Sequence, residues 1–157
     1  MEKQTRTGGE ATRLALIEAA IRLFGSQGYD AVSTRQIADA AEANIGSIAY
    51  HFGGKPGLRL ACAEYVANRI ATLAAPAAVS SLPAEPDAAT AMLEAAIERF
   101  ARFLVSSRDA GTYAAFLLRE IIQPGEVVDY IYDTLIGRAH KRLCALFGVA
   151  TGLVPES

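Results

Sequence analysis

The stretch STRQIADAAEANIGSIAYHF, residues 33–52, packs two helix starts and a tight turn into twenty positions, and the rest of the chain is read outward from it. Ser33 followed three residues later by Gln36 is a capping box, in which each side chain takes the other residue's backbone amide. A short helix starts there and ends near Ala40. After a turn around Ala41 to Ala43, Asn44 is placed to cap a second short helix, where Ile48 and Phe52 stand four apart on one face. Gly53-Gly54 stops it. The apolar set Ile37, Ala38, Ala41, Ile48 and Phe52 is expected to lock the two helices together at a steep angle.

Upstream, Leu14, Ile17, Ile21 and Phe24 recur at helical spacing, so a helix is expected from about Thr12 to Gln27, closed by Gly28. Downstream, Pro56 suits a first helical turn, and Leu58, Ala61, Tyr65, Ile70 and Leu73 carry that helix to about Ala75. Pro76 to Asp87 holds three of the six prolines and reads as a connection. Three more amphipathic segments follow: Ala88–Ser106, Thr112–Ile122 and, after Pro124-Gly125, Glu126–Phe147. No segment alternates with a strand period, so the fold class is all-α. At 157 residues, 52% hydrophobic and 20% charged, the chain has the apolar content for a packed core and lacks the signature of a disordered one. Two cysteines, Cys62 and Cys144, cannot form a disulfide framework, and the polar start MEKQTRTGGEATR has no apolar export segment. A soluble protein of the reducing cytoplasm is expected.

Two short helices joined by a tight turn have the proportions of a helix-turn-helix, whose second helix enters the major groove of DNA. The residues left outside the locked pair are Ile45, Gly46, Ser47, Ala49 and Tyr50. Gly46 allows close approach, Ser47 can bond a base edge and Ile45 can meet a thymine methyl group. Arg35 is the long cation near that surface able to pair with guanine. Ser33, Thr34, Tyr50 and His51 can bond phosphate oxygens, and Lys55 stands at a helix start where an anion is favoured. Lys3, Arg6 and Arg13 can add counterion release. The net charge of −2 excludes a generally cationic nucleic-acid binder, so the attraction must be local. Residues 1–59 carry seven Lys and Arg against six Asp and Glu, whereas residues 60–157 carry eight against eleven.

On these residues, GYDAVSTRQIADAAEANIGSIAYHFGGKPGL (28–58) resembles the DNA-binding domain of the tetracycline-repressor (TetR) family of bacterial transcriptional regulators. The turn from Phe24 to Tyr29, the Ile37-Ala38 pair, Gly46, His51-Phe52 and Lys55 all stand in the family's order, and the likeness covers about residues 12–75. Arg119-Glu120 with Pro124 also resembles one branch of the family's C-terminal domains. The resemblance implies a second short helix that reads a palindromic double-stranded operator, and C-terminal helices that form an inducer pocket and a homodimer interface. Two positions depart from the pattern: Glu42 occupies the turn position usually held by glycine, and Ala49 the position usually held by tyrosine. The family closes with two long dimerising helices, whereas this chain stops at TGLVPES, so the body reads as truncated.

Plainer roles weigh on the other residues. His51 and His140 have no carboxylate or thiol neighbours at ligand spacing, so neither a metal site nor a catalytic base is indicated. GGKPG departs from the phosphate-loop pattern and reads as a helix start. Cys62 and Cys144 read as small buried hydrophobes. Phe100, Phe103, Tyr113, Phe116 and Tyr130 read as core residues, some of which must line any cavity, with Arg119 a solvated residue that can reach a ligand. The expectation is therefore a non-enzymatic, cofactor-free regulator. Residues 1–55 form the arm and reading head, and residues 56–157 the linking helix and a partial regulatory domain. Its partners are operator DNA and a small-molecule inducer, with no membrane. The competing reading is a helical protein-interaction module that does not bind DNA sequence-specifically.

Overall fold

The helical period of the apolar residues is realised throughout the computed structural model, which describes residues 2–78, 81–106, 109–122 and 126–153. The elements are α1 (Glu2–Gln27), α2 (Thr34–Ala40), α3 (Gly46–Phe52), α4 (Lys55–Ala78), α5 (Pro86–Ser106), α6 (Ala110–Ile122), α7 (Glu126–Ile131) and α8 (Gly137–Thr151). A π-helical turn, Tyr132–Ile136, carries α7 into α8. No strand occurs among the described residues. The side chains of Lys3, Arg6, Leu73 and Leu135, and the Pro124-Gly125 break, lie outside what is described.

Contacts divide the chain into two compact units, residues 1–66 with 111–128, and residues 67–110 with 129–157. In the first, Leu16, Ile17, Ile21 and Phe24 of α1 are buried along with Val32 of the α1–α2 connection, Ile37 and Ala38 of α2, Ile48 of α3, Leu58, Cys62 and Val66 of α4, and Phe116 of α6. Each large side chain so buried contributes about 1.5–3 kcal/mol. The sum opposes an ordering cost of about 1–2 kcal/mol per residue. In the second unit α5 packs on α8, burying Ala89 and Leu146. There Arg142 also donates to the Ser81 carbonyl at 3.3 Å.

Several boundaries differ from those expected, and the helix expected over Glu126–Phe147 is interrupted by the π-helical turn and continues to Thr151. Helix α1 begins ten residues before Thr12, running through Gly8-Gly9 despite their poor helix propensity. Elongating a formed helix by one residue costs little, and Thr12 Oγ1 bonds the Gly8 carbonyl at 3.0 Å on that turn. At its other end α1 closes on Gly28 (φ +90°), whose amide bonds the Phe24 carbonyl at 2.9 Å. Helix α4 runs to Ala78 and α5 starts at Pro86, so the Pro76 connection is shorter than its composition suggested.

Two close approaches require glycine. A Cβ on Gly57 would lie 1.9 Å from the Phe52 carbonyl oxygen, so α4 starts directly against the end of α3 only because Gly57 has none. A Cβ on Gly25 would lie 3.0 Å from the Phe116 amide nitrogen, where α6 crosses the last turn of α1.

Candidate nucleic-acid interface

The capping box forms as spaced: the Gln36 amide donates to Ser33 Oγ at 3.2 Å, and the Ser33 amide to Gln36 Oε1 at 2.8 Å. Helix α2 ends in a Schellman turn, with the Ala43 amide on the Ala38 carbonyl at 2.9 Å and the Glu42 amide on the Asp39 carbonyl at 3.2 Å. That turn puts Glu42 in the left-handed region, φ +51°, the one described non-glycine residue there. Helix α3 starts at Gly46 with Ile45 at the cap position, one residue later than a cap at Asn44 gives, because Asn44 closes a tighter turn first. Its Oδ1 accepts the Gly46 amide at 2.8 Å and its carbonyl the Ser47 amide at 2.9 Å. Asn44 thus still supplies an acceptor to the helix start, from one position further out than an ordinary cap.

This turn decides which side of α3 reaches water. Ile48 is 2% exposed and held in the core, while Ile45 is 52% and Tyr50 85% exposed. Gly46 and Ala49 are exposed as well, and Ser47 is half-buried. Ala41 and Phe52, expected in the locking set, are half-buried. Ser33 and Arg35 stand exposed and Thr34 half-buried at the start of α2, on the stretch that leads into the turn.

The cations around this surface rest on aromatic rings. Lys55 Nζ lies 4.1 Å and Arg59 Cζ 4.4 Å from the Tyr29 ring centre, and Arg13 Cζ lies 5.4 Å from that of Phe52. Tyr29 in turn tilts against Phe24 with ring centres 5.3 Å apart. Burial raises the Tyr29 phenol above its ordinary pKa, with Asp30 and Glu120 adding to the effect and Arg59 opposing it. His51 is half-buried, edge-on to Tyr50 at 4.9 Å and tilted to Phe52 at 5.9 Å, and faces Gly9 of α1. Lys55, Arg13 and His51 are thus each packed against an aromatic ring.

Sequence reasoning missed what fastens α6 to this unit. Glu120, 2% exposed, receives Arg59 on both carboxylate oxygens, with Nε at 3.1 and 2.9 Å and Nη2 at 2.7 Å. Arg119 donates to the Gly25 and Ser26 carbonyls at 3.1 and 3.0 Å, satisfying acceptors that the last turn of α1 leaves open. Gly28 makes room for it, since a Cβ there would lie 3.2 Å from Arg119 Nη1. The available signal was the charged pair inside the apolar run FLLREII.

The ligand-pocket candidates fall in both units. Tyr113 and Phe116 are buried in the first, Tyr113 edge-on to Tyr65 at 6.3 Å, and Arg119 is engaged as just described. Phe100 is exposed in the second, with Phe103 and Tyr130 half-buried. An open groove of about 390 Å³ in the first unit is lined by Arg22, Gly25, Ser26, Gly111, Thr112 and Ala115, and by none of those six. Cys62 is buried with its thiol pushed far up in pKa, chiefly by burial and then by the Glu120 charge, and it donates to the Ile17 carbonyl at 3.6 Å. It behaves as a core residue. Cys144, expected to be buried, is half-buried, and it lies 3.5 Å from His140 Nε2, so that histidine does have a thiol neighbour one helical turn on, contrary to the reading of the sequence. No group of three His, Cys, Asp or Glu that could hold a metal, and no helix long and apolar enough to cross a membrane, occurs among the described residues.

Comparison with known proteins agrees with this arrangement. Residues 16–62 match the family model for bacterial regulatory proteins of the tetR family, and residues 89–157 that for the C-terminal domain of the HTH-type transcriptional dual regulator CecR. The chain is 33% identical over 149 residues to CecR of Shigella flexneri, covering 92% of this chain and 66% of that protein. It is 36% identical over 140 residues to the HTH-type transcriptional regulatory protein RaaS of Mycobacterium tuberculosis, covering 89% and 58%. It therefore spans less than two thirds of the length of these relatives. Among solved structures, the TetR family regulator PfmR of Thermus thermophilus superposes with a TM-score of 0.67 at 22% identity, over 90% of this chain and 73% of that one. From the capped α2, the turn, the exposed α3 and these matches over both parts of the chain, it follows that this protein belongs to the TetR family of bacterial regulatory proteins.

Proposed function

We propose that this chain is a DNA-binding transcriptional regulator that reads a palindromic operator by placing α3 in the major groove. The observation that carries this reading is the split along α3: Ile48 is held in the core while Ile45 and Tyr50 project into water. An α3 turned the other way would have no residue to offer a base edge. Arg35, Ile45, Gly46, Ser47 and Ala49 face bases in this reading, and Ser33, Thr34, Asn44, Tyr50, His51 and Lys55 grip the backbone. Residues 1–55 are the reading head, and residues 56–157 the linking helix and regulatory part. The regulator works in the cytoplasm, as a homodimer when the C-terminal dimerising helices are present, because a palindrome needs two heads about one helical turn apart.

The regulation is by a small molecule that repositions the heads, in keeping with a repressor released by its ligand. Aromatic residues of both units, Tyr113 and Phe116 in one and Phe100, Phe103 and Tyr130 in the other, are candidates to meet it, as is Arg119. The relatives' names, a dual regulator and a regulatory protein of the helix-turn-helix type, support regulation without deciding its sign.

Salt dependence tests the reading. Association with a random-sequence duplex, followed by fluorescence anisotropy between 50 and 200 mM salt, is expected to weaken by about a hundredfold or more if several phosphates are neutralised. Association that ignores salt sinks the proposal and favours a helical protein-interaction module.

A further inference from the structure

The side chains that α3 turns to solvent are unusually poor in hydrogen-bonding groups for a surface that reads DNA. From Asn44 to Phe52 the sequence NIGSIAYHF contains no Lys, Arg, Gln, Asp or Glu. Asn44 is the residue type that reads adenine, but that reading needs carboxamide oxygen and nitrogen presented together to the base edge. Here the oxygen is committed to the Gly46 amide at 2.8 Å. His51 is half-buried against Tyr50, Phe52 and the Gly9 side of α1, and Ser47 is half-buried. What stands free at the tip is the Ile45 side chain, bare backbone at Gly46, the Ala49 methyl and Tyr50, whose hydroxyl and the Asn44 amide group are the polar exceptions. In the major groove one apolar group matches such a surface, the C5-methyl of thymine.

We infer that α3 recognises its half-site chiefly by thymine methyl groups, with Ile45 and Ala49 forming the apolar seat and Arg35 of α2 supplying guanine recognition at the flank. The inference rests on the DNA-binding reading above and adds the chemistry of the bases read. Adenine and guanine under α3 are then selected through their partners across the pair and through groove shape, not through bonds from this helix. Burying one methyl group corresponds to about a fourfold change in binding constant.

The test uses the full chain and a library of randomised duplexes. Selected duplexes are expected to place one or two thymines at fixed positions in each half-site. Replacing those thymines one at a time by deoxyuridine, which lacks only the methyl group, is expected to weaken binding about fourfold each in the native chain. The substitution Ile45→Ala, on an exposed side chain that leaves the fold intact by circular dichroism, is expected to narrow the difference between thymine and deoxyuridine at the position Ile45 faces, with any thymine on Ala49 unaffected, whereas Ile45→Val keeps the full difference. Native protein that binds both duplexes equally, or selected half-sites without thymine under α3, overturns the inference and leaves DNA binding standing. A library from which nothing is enriched overturns the DNA-binding reading and this one together.

Discussion

At residue scale the turn between α2 and α3 carries a cost that one substitution removes. Glu42 sits at φ +51°, where an L side chain crowds its own carbonyl at a cost of about 1–2 kcal/mol, while glycine pays none of it. Both Schellman hydrogen bonds are backbone to backbone, so they survive a change of side chain there. Glycine gives back part of the gain through the freedom it has in the unfolded chain, about 0.5–1 kcal/mol. Glu42→Gly is therefore expected to stabilise the protein by up to about 1 kcal/mol, raising Tm by about 2–4 °C in a thermal melt. A lower Tm contradicts the assignment of strain to this position. The sequence comparison with the family's usual glycine pointed to this residue, and the angle now gives the reason.

Among the elements, α6 is tied to α1 and α4 by two adjacent charges with opposite tasks. Arg119 faces the carbonyl end of α1, where a cation is favoured by about 0.3–1 kcal/mol. Glu120 points into the core and depends on Arg59 of α4, which offers it a two-pronged bond and lies against Tyr29. Removing one member of such a pair leaves the other charged and poorly solvated, so Glu120→Ala is expected to cost about 3 kcal/mol. The loss reads as a Tm lower by about 6–12 °C. The double variant Arg59→Met with Glu120→Leu takes out both charges at similar volume and is expected to recover most of it. If the double variant is as unstable as Glu120→Ala, the pair does not act as a unit.

The same elements show what could be read in advance. Capping at Ser33, burial of Ile37, Ala38 and Ile48, and exposure of Ile45 and Tyr50 follow from spacings within twenty residues, where helix geometry alone decides which face a side chain takes. The Arg59–Glu120 pair joins positions 61 apart, and in the run FLLREII a charge on a helix reads as a solvated one unless its partner is known. The early start of α1 was hidden by Gly8-Gly9, whose propensity argues against the helix that forms. Asn44 supplies the acceptor at the start of α3 as its residue type suggests, but a tight turn and an ordinary cap look alike in sequence, which displaces the helix start by one residue.

For the molecule as a whole, the proposed reading of a palindromic operator calls for two copies, and the second compact unit exposes an apolar surface on which pairing can be tested. Phe100 of α5 and Phe147 of α8 are each 55% exposed, with Ile97, Leu104 and Leu143 exposed on the same two helices. Apolar rows of this kind are disfavoured in a monomer and marked for association. A twofold pairing through them presents two identical heads, and linking two half-site contacts makes the second one intramolecular, a gain of about 10²–10⁴ in affinity without any new contact. The chain is accordingly expected to sediment as a dimer at micromolar concentration, and to bind a duplex with two half-sites about a hundredfold more tightly than one with a single half-site. Phe100→Asp with Phe147→Asp places charges in the apolar rows and is expected to give a monomer whose affinity for the single half-site is unchanged, because neither residue belongs to the unit that holds α3. A monomeric variant that keeps the full preference for the double site shows that pairing occurs through a different surface. A variant that loses the single half-site as well shows that the heads do not fold independently of these rows.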